Sequence, residues 1–442
     1  MKGIRMCALM ACALAVVWLP VHADDGIAGG PPLFSSQHGQ RSTVRAITMK
    51  EAEDAALAAN AELRVAARRV ATAESQVPTA GRLPDAQFMY RNWQTPLARP
   101  WDLNQSQHMF MLSRQLPATG VRPLQRQVAA EDVEIRRNAL EARKRDVLAR
   151  VRAAYYALVR NRHELTLHDE QVAIAQQSIE SSRIKYTVGK VAQQDVLKAQ
   201  ISTTKLVEHL LMLEQDGDTA RAGLNTLMGR DPATPLEVAG EPLPARALPA
   251  LSNLESTALR NRPELAAIAA QIRQAETRVG LARRGLSPEY SVSGGYMLMP
   301  GGSERRNAYM AELSVSLPWA NRKKHEAEIA AAVAEVEGLR VEFEAERALV
   351  FNEIQQALVR ANTASRLVRL YGETLIPETH SAFRAAVTAY QNDRTDLLNL
   401  LESQNMILDV RTSHYRAQAE YESAIAELER AIGTELGNEV RP

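Results

Sequence analysis

The hydrophobic and polar positions of this 442-residue chain follow two different periods. Most of the chain repeats apolar residues every three to four positions, as amphipathic helices do. Residues 124–188 contain neither glycine nor proline, and a continuous helix over that range would be about 90 Å long. A globular core does not need helices of that length, so we expect them to pack side by side as a coiled-coil-like tube.

Four shorter segments alternate apolar and polar residues with period two, which is typical of strands. Residues 289–299 and 308–317 show it clearly and flank the turn-rich sequence "PGGSERRN". Residues 86–95 and 107–116 alternate less cleanly, and we predict strands there mainly because they hold the same place in an internal repeat. A strand of about ten residues with one apolar face is long enough to cross a bilayer.

The chain contains an internal duplication. The sequence "NAELRVAARRVATAESQV" at residues 60–77 matches "RPELAAIAAQIRQAETRV" at residues 262–279, and Tyr186 recurs later as Tyr390. Each repeat is predicted to hold one helix, a pair of strands, and a pair of long helices joined at a tip. The predicted boundaries are 46–230 for the first repeat, 231–251 for a proline-rich connector, 252–433 for the second repeat and 434–442 for a tail, with tips near 187–191 and 391–395.

The N-terminus has the pattern of an export signal. Residues 1–23 combine a basic start, a short apolar core and small residues up to Ala23, which predicts cleavage there and a flexible segment over residues 24–45. Lipid attachment at Cys12 is the alternative. Cleavage would remove Cys7 and Cys12, the only cysteines, so we expect no disulfide and no thiolate chemistry in the mature chain.

Composition narrows the function classes. The formal net charge is +1, with 53 basic and 52 acidic residues, so nothing favours a nucleic-acid partner. After the export signal no apolar run is long enough for a transmembrane helix. The sequence shows no phosphate-binding loop, catalytic triad or metal-ligand cluster. We therefore predict neither an enzyme nor a cofactor.

Four strands cannot close on themselves. In lipid, each unpaired backbone group at an open sheet edge costs several kcal/mol, and known membrane barrels need about eight strands. If the sheet enters a membrane, several copies of the chain must pool their strands, and three copies would supply twelve. The alternative is a soluble periplasmic coiled coil capped by a small sheet.

The duplicated order of helix, strand pair and long helix pair resembles the TolC family of trimeric outer-membrane efflux channels. The motifs "AYYAL" (154–158), "KYTVGKVAQQDVLKAQ" (185–200) and "GLNTLMGRDP" (223–232) add to this resemblance, which covers nearly the whole mature chain. The sequence of the first repeat is most similar to that of members that work with heavy-metal pumps of the RND class. The resemblance implies a mainly α fold with a membrane β portion: duplicated long helical hairpins form an α-barrel tunnel, and four strands per chain form a trimeric twelve-stranded β-barrel.

The resemblance also implies a function and partners. Members are passive conduits in the outer membrane, surrounded by its lipid and extending into the periplasm. As homotrimers they dock on a periplasmic adaptor, a membrane fusion protein, and on an inner-membrane RND-type pump, and they export toxic compounds that include heavy-metal cations. The alternatives are a periplasmic structural protein and the adaptor itself. An adaptor carries one helical hairpin between lipoyl-like β segments, whereas this chain has two hairpins.

The resemblance implies adaptor contacts at both tips. Val188, Gly189 and Lys190 match the family's V-G-x tip, and glycine also suits a left-handed turn for geometric reasons alone. The second tip departs from the pattern, because polar residues stand at the same places. These are Asn392, Asp393 and Arg394.

A pore constriction is implied on the helix after the second tip. The family places acidic side chains nine and twelve residues after the tyrosine, and counting from Tyr390 gives Asn399 and Glu402. Three-fold symmetry would make one ring of carboxylates that favours cations. Glu402 on an ordinary solvated helix face is the alternative.

Methionine is concentrated in the predicted strands. Alternation puts six of these residues on the polar side of the strands, the side expected to line the lumen. Thioethers suit Cu(I) and Ag(I), so a methionine lining for soft cations is one hypothesis, and simple filling of an irregular barrel interior is the other. The six are Met89, Met109, Met111, Met297, Met299 and Met310.

Overall fold

The computed structural model describes residues 45–93, 95, 97–98, 101, 106–240, 246–299, 307–392 and 394–436. The predicted signal peptide, Cys12, most of the predicted flexible segment 24–45 and the tip residue Asp393 lie outside the described residues.

Each repeat begins with two helices where the sequence predicted one. They are α1 (Met49–Ala59) and α2 (Ala61–Gln76) in the first repeat, and α5 (Leu251–Asn261) and α6 (Pro263–Arg284) in the second. The single-helix prediction was wrong because Asn60 stops α1 and caps α2. Its Oδ1 accepts hydrogen bonds from the amides of Glu62 and Leu63 at 2.9 and 3.2 Å. In the second repeat Pro263, which has no N–H to give, starts the new helix.

The long helices form two hairpins. The first consists of α3 (Val121–Thr187) and α4 (Gln193–Leu227), and the second of α7 (Arg322–Arg369), α8 (Ile376–Gln391) and α9 (Leu397–Ile432). The 67 residues of α3 make it about 100 Å long. No helix in the described ranges combines the length and the apolar character that crossing a membrane requires.

The second hairpin has an interruption that the first lacks. A π-helical turn (Leu370–Leu375) separates α7 from α8, where the sequence predicted a single long helix before the second tip. The turn precedes Pro377, which cannot donate to a carbonyl in the preceding turn and whose ring crowds it. The corresponding part of α3 contains no proline and stays regular.

The four strands form one antiparallel sheet in the order β1-β2-β3-β4. Their bounds are β1 (Gln87–Trp93), β2 (Gln107–Leu116), β3 (Tyr290–Leu298) and β4 (Asn307–Val315). The strands differ from the predicted ranges by one or two residues at several ends. Because β2 pairs with β3, the central ladder of the sheet joins the two repeats.

The two repeats bury their helix ends in the same way. In the first, the Asn60 side chain donates to the Leu227 carbonyl, 2.8 Å away, in the last turn of α4. In the second, the equivalent Arg262 donates to the Ala431 carbonyl, 2.9 Å away, near the end of α9. Each contact satisfies a carbonyl that the end of the helix leaves free. The connector after the first repeat runs along this end, where Val238 pairs with Ile47 in a single β-bridge.

Candidate functional site

The strand register divides the sheet into an apolar face and a polar face. Residues directly opposite each other in an antiparallel pair lie on the same face, and one row across the four strands is Tyr90, Phe110, Tyr296 and Tyr309. The other rows on that face carry leucine, valine and more aromatic rings, interrupted by Asn92, His108 and Arg114. Most of the large apolar side chains in these rows are exposed in the single chain. The largest exposed fractions are 89 % for Tyr309, 70 % for Phe88 and 67 % for Leu313. A contiguous exposed apolar surface of this kind marks a site of contact with lipid or another protein.

The opposite face carries the methionines. Met89 is opposite Met111 and Met109 is opposite Met297, while Met310 is separated from Met111 by Gly295. Glutamine, serine and Glu312 share this face, because they alternate with the aromatic positions. Five of the six predicted methionines therefore lie on one face. Met299 lies after the end of β3.

The first tip is a glycine-dependent helix stop. Gly189 has a φ of +71°, and its N–H donates to the Tyr186 carbonyl at 2.9 Å. The Lys190 N–H donates to the Lys185 carbonyl, also at 2.9 Å, which completes a Schellman motif. The Val188 side chain is 64 % exposed. The tip thus presents an apolar side chain and a basic residue on a rigid turn.

The second tip makes the same turn with different residues. The Arg394 N–H donates to the Ala389 carbonyl at 2.8 Å, in the same relation as Lys190 to Lys185. Asn392 ends the helix, and its side chain donates to the Thr388 carbonyl at 2.7 Å. Asn392 and Arg394 are exposed, while Asp393 lies outside the described residues. This surface is polar where the first tip offers Val188.

The two tips contact each other through Lys185. Its Nζ lies 3.8 Å from the centroid of the Tyr390 ring and donates to the Tyr390 carbonyl at 3.1 Å. Tyr390 is buried, whereas its repeat counterpart Tyr186 is exposed. Sequence spacing could not reveal this contact, because Lys185 stands beside the tip motif and its partner is about two hundred residues away.

The predicted constriction residues lie on an exposed face of α9. Asn399 is in the first turn, where its N–H donates to the N-cap side chain of Asp396 at 3.0 Å, and Glu402 follows one turn later. Both side chains are exposed, while Leu400 and Leu401 between them are buried against the first hairpin. Within the described ranges Glu402 makes no ion pair. In a single chain the structure therefore leaves Asn399 and Glu402 facing open space.

A buried histidine lies where the hairpins meet. His168 on α3 is buried, and its ring centroid is 6.0 Å from that of His209 on α4. Burial lowers the pKa of His168, with smaller contributions from the nearby charges of His209 and Arg416, and those of Asp169 and Asp409 oppose the shift. No group of three or more His, Cys, Asp or Glu side chains placed to hold a metal ion occurs in the described part of the chain. Because its pKa is lowered on folding, protonation of His168 affects the stability of the fold.

Two long helical hairpins and a four-stranded sheet with an exposed apolar face are the architecture of an outer-membrane channel subunit. The sequence matches the family description "Outer membrane efflux protein" over residues 53–230 and 254–434. The chain belongs to this family. It is an outer-membrane efflux protein that extends into the periplasm.

Individual relatives are distant in sequence but similar over most of their length. The cobalt-zinc-cadmium resistance protein CzcC of Cupriavidus metallidurans is 20 % identical over 397 residues, which is 89 % of this chain and 91 % of CzcC. Among solved structures, the outer-membrane channel OprN superposes with a TM-score of 0.74 at 21 % identity, covering 88 % of this chain and 90 % of OprN. CusC gives a TM-score of 0.74 at 16 % identity, covering 87 % and 92 %. The two structural matches show a shared fold.

Proposed function

We propose that this chain is the outer-membrane component of a tripartite efflux system and serves as a passive conduit for toxic compounds. The exposed apolar face of the sheet is the observation that carries the proposal. A soluble protein would leave those rings in water, whereas outer-membrane lipid would cover them. The conduit does no chemistry of its own, and an inner-membrane pump supplies the energy.

The helix packing supports a ring of several copies. Helix α3 packs against α6 and α9 of the other repeat, but its counterpart α7 makes no comparable contact with α2 or α4 within the described chain. The helices that lack this contact expose apolar side chains. These are Val333, Val341, Leu349 and Val359 on α7, and Leu197, Ile201, Leu211 and Met212 on α4. A neighbouring copy would supply the missing contact, and such a head-to-tail contact can close into a ring.

A homotrimer also solves the problem of the open sheet. The outer edges of β1 and β4 have no partner strand within the described residues. Joining β4 of one copy to β1 of the next pairs these edges and gives twelve strands, enough to close a barrel in lipid. The apolar face then meets lipid, and the methionine face lines the lumen.

The tips are the proposed docking sites for a periplasmic adaptor, the membrane fusion protein of an RND-type pump. At one tip Val188 and Lys190, on either side of Gly189, offer an apolar and a basic side chain. At the other tip the sequence has only polar residues, Asn392, Asp393 and Arg394. Each chain would therefore offer the adaptor two chemically different tips, and a trimer would offer six tips.

Glu402 is the proposed selectivity element. It is exposed near the tip, and three-fold symmetry would place three such carboxylates around one opening, with Asn399 one helical turn closer to the tip. This ring would favour cations. Together with the name of CzcC, it supports heavy-metal cations among the exported compounds.

Fractionation and gel mobility test the proposal. Mature protein expressed in its own host should be found in the outer membrane as a trimer that resists detergent and dissociates on heating. Deletion of the gene should raise sensitivity to cobalt, zinc or cadmium, and restoring the gene should reverse this. A soluble periplasmic monomer would contradict the proposal and favour the structural coiled coil.

A further inference from the structure

Four methionines form a group on the polar face of the sheet. Met109 on β2 lies directly opposite Met297 on β3. Met111, two residues further along β2, lies opposite Gly295, which in turn lies opposite Met310 on β4. Opposite residues have Cβ atoms about 4.5–5.5 Å apart, and residues two apart on one strand share a face. The register therefore gathers four thioethers on neighbouring positions of three strands.

Gly295 supplies the space that holds this group together. A Cβ atom on Gly295 would lie 2.8 Å from Cγ of Met111 and 2.7 Å from the Phe110 carbonyl oxygen. The Met111 side chain therefore lies over Gly295, on the side of β4 and Met310. Met111 is only 9 % exposed and Met109 only 5 %, although the sheet belongs to a single chain. These thioethers are already shielded from water.

Arg91 is directly opposite Met109 in the strand register, but its guanidinium lies along β1 beside Met89, the remaining strand methionine. Its Nη2 donates to Sδ of Met89 at 3.5 Å, and its Cζ lies 5.8 Å from the centre of the Trp93 ring. The guanidinium thus stays along β1 and puts a positive charge beside Met89, which disfavours a bound cation there. Met299 lies after the end of β3. The group therefore comprises four of the six methionines considered from the sequence.

We propose that Met109, Met111, Met297 and Met310 bind soft monovalent cations, Cu(I) or Ag(I). Thioethers are soft and neutral, so they favour these ions over Zn²⁺ and Co²⁺, which bind imidazole and the charged thiolate and carboxylate groups more strongly than a neutral thioether. The site deepens the proposed function, since only a lumen-facing sheet would put it on the export route, where it would act as a relay. Binding itself needs only the fold of one chain.

Silver binding to the purified trimer tests the site. Silver nitrate is titrated into wild type, into the variant M109L/M111L/M297L/M310L, and into M406L, whose exposed methionine lies on α9. Leucine keeps most of the volume of methionine. Wild type and the helix control should bind about one Ag(I) per chain, and the fourfold variant should bind at least ~10-fold more weakly. X-ray absorption should show sulfur neighbours around the bound silver, and Zn²⁺ should not compete.

Two smaller changes keep the test valid if the fourfold variant fails to assemble. Met310→Leu removes one thioether from β4, and Gly295→Ala keeps every sulfur but displaces Met111. Both should weaken silver binding by several-fold. Equal silver binding by wild type and by these variants would overturn the site, as would a silver shell of nitrogen and oxygen. A wild-type trimer that does not bind silver refutes the site alone, whereas a soluble wild-type monomer refutes the proposed function.

Discussion

Two glycines that follow long helices in the same turn motif allow a test of two costs of replacing glycine: backbone strain and steric contact. Gly189 and Gly229 both follow a long helix of the first repeat, with φ values of +71° and +69°. In both turns the residue after the glycine donates to the carbonyl five residues back, from Lys190 to Lys185 at 2.9 Å and from Arg230 to Asn225 at 2.8 Å. Both sites therefore require the same left-handed backbone conformation.

The surroundings of the two glycines differ. A Cβ on Gly189 would meet no atom within 4 Å, whereas a Cβ on Gly229 would lie 2.5 Å from the Ala59 carbonyl oxygen. Alanine in the left-handed conformation costs about 1–2 kcal/mol at either site. At Gly229 the backbone at the end of α1 must also shift, which typically adds about 1–3 kcal/mol. We expect Gly189→Ala to cost about 1–2 kcal/mol and Gly229→Ala about 2–5 kcal/mol.

Thermal melting in detergent, followed by circular dichroism at the helix band, measures both variants. Gly229→Ala should melt several degrees below Gly189→Ala. Asparagine tolerates the left-handed conformation, so Gly189→Asn should be nearly neutral, whereas Gly229→Asn should remain damaging. Equal losses at the two sites would refute the reasoning, because they would show that backbone strain alone decides.

Three further predictions concern charge. Glu402→Gln should reduce the cation preference of the channel in planar bilayers, and Asn399→Asp should increase it; unchanged reversal potentials would contradict a carboxylate ring. Lys185→Gln should weaken the contact between the tips by about 1–2 kcal/mol and thereby raise the single-channel conductance. An unchanged conductance would contradict a role of this contact in holding the tips together. Because burial lowers the pKa of His168, acid protonates the unfolded chain first, so stability falls as pH drops below about 6.5. His168→Gln should flatten that fall in melting curves between about pH 7 and 5, and the exposed-site control His380→Gln should not.

The fold was predictable from the sequence where a local pattern and the repeat agreed. Period-two alternation predicted β3 and β4, and the duplication predicted β1 and β2 where alternation was weak. The long breaker-free run predicted α3. The break at Asn60 was missed because an asparagine followed by "AEL" also fits a continuous helix. In the fold Asn60 caps α2, and its side chain also donates to the distant Leu227 carbonyl.

The candidate site was less predictable, because its contacts join residues that are distant in sequence. The family's spacing, counted from Tyr390, predicts Asn399 and Glu402 as constriction residues, but it could not show that Lys185 covers the Tyr390 ring. Alternation put the methionines on one face, but it could not separate Met89, beside Arg91, from the four that gather around Gly295. That distinction depends on register, which sequence spacing alone does not fix.

The two repeats differ near their tips. Tyr390 is buried under Lys185, whereas Tyr186 is exposed, and only the second hairpin carries a π-helical turn next to a proline. A π turn weakens the regular hydrogen-bond ladder of a helix and often marks a functional site. The second hairpin therefore has a contact that stabilises its tip and, further from the tip, an irregular π-helical turn. Helix α3 of the first hairpin is continuous. If the tips move during export, we expect the second hairpin to bend at the π turn and carry Glu402 with it, while the turn at Gly189 in the first hairpin stays in place. Spin labels on α9 near Glu402 should then change their distances across the trimer more than labels near Gly189.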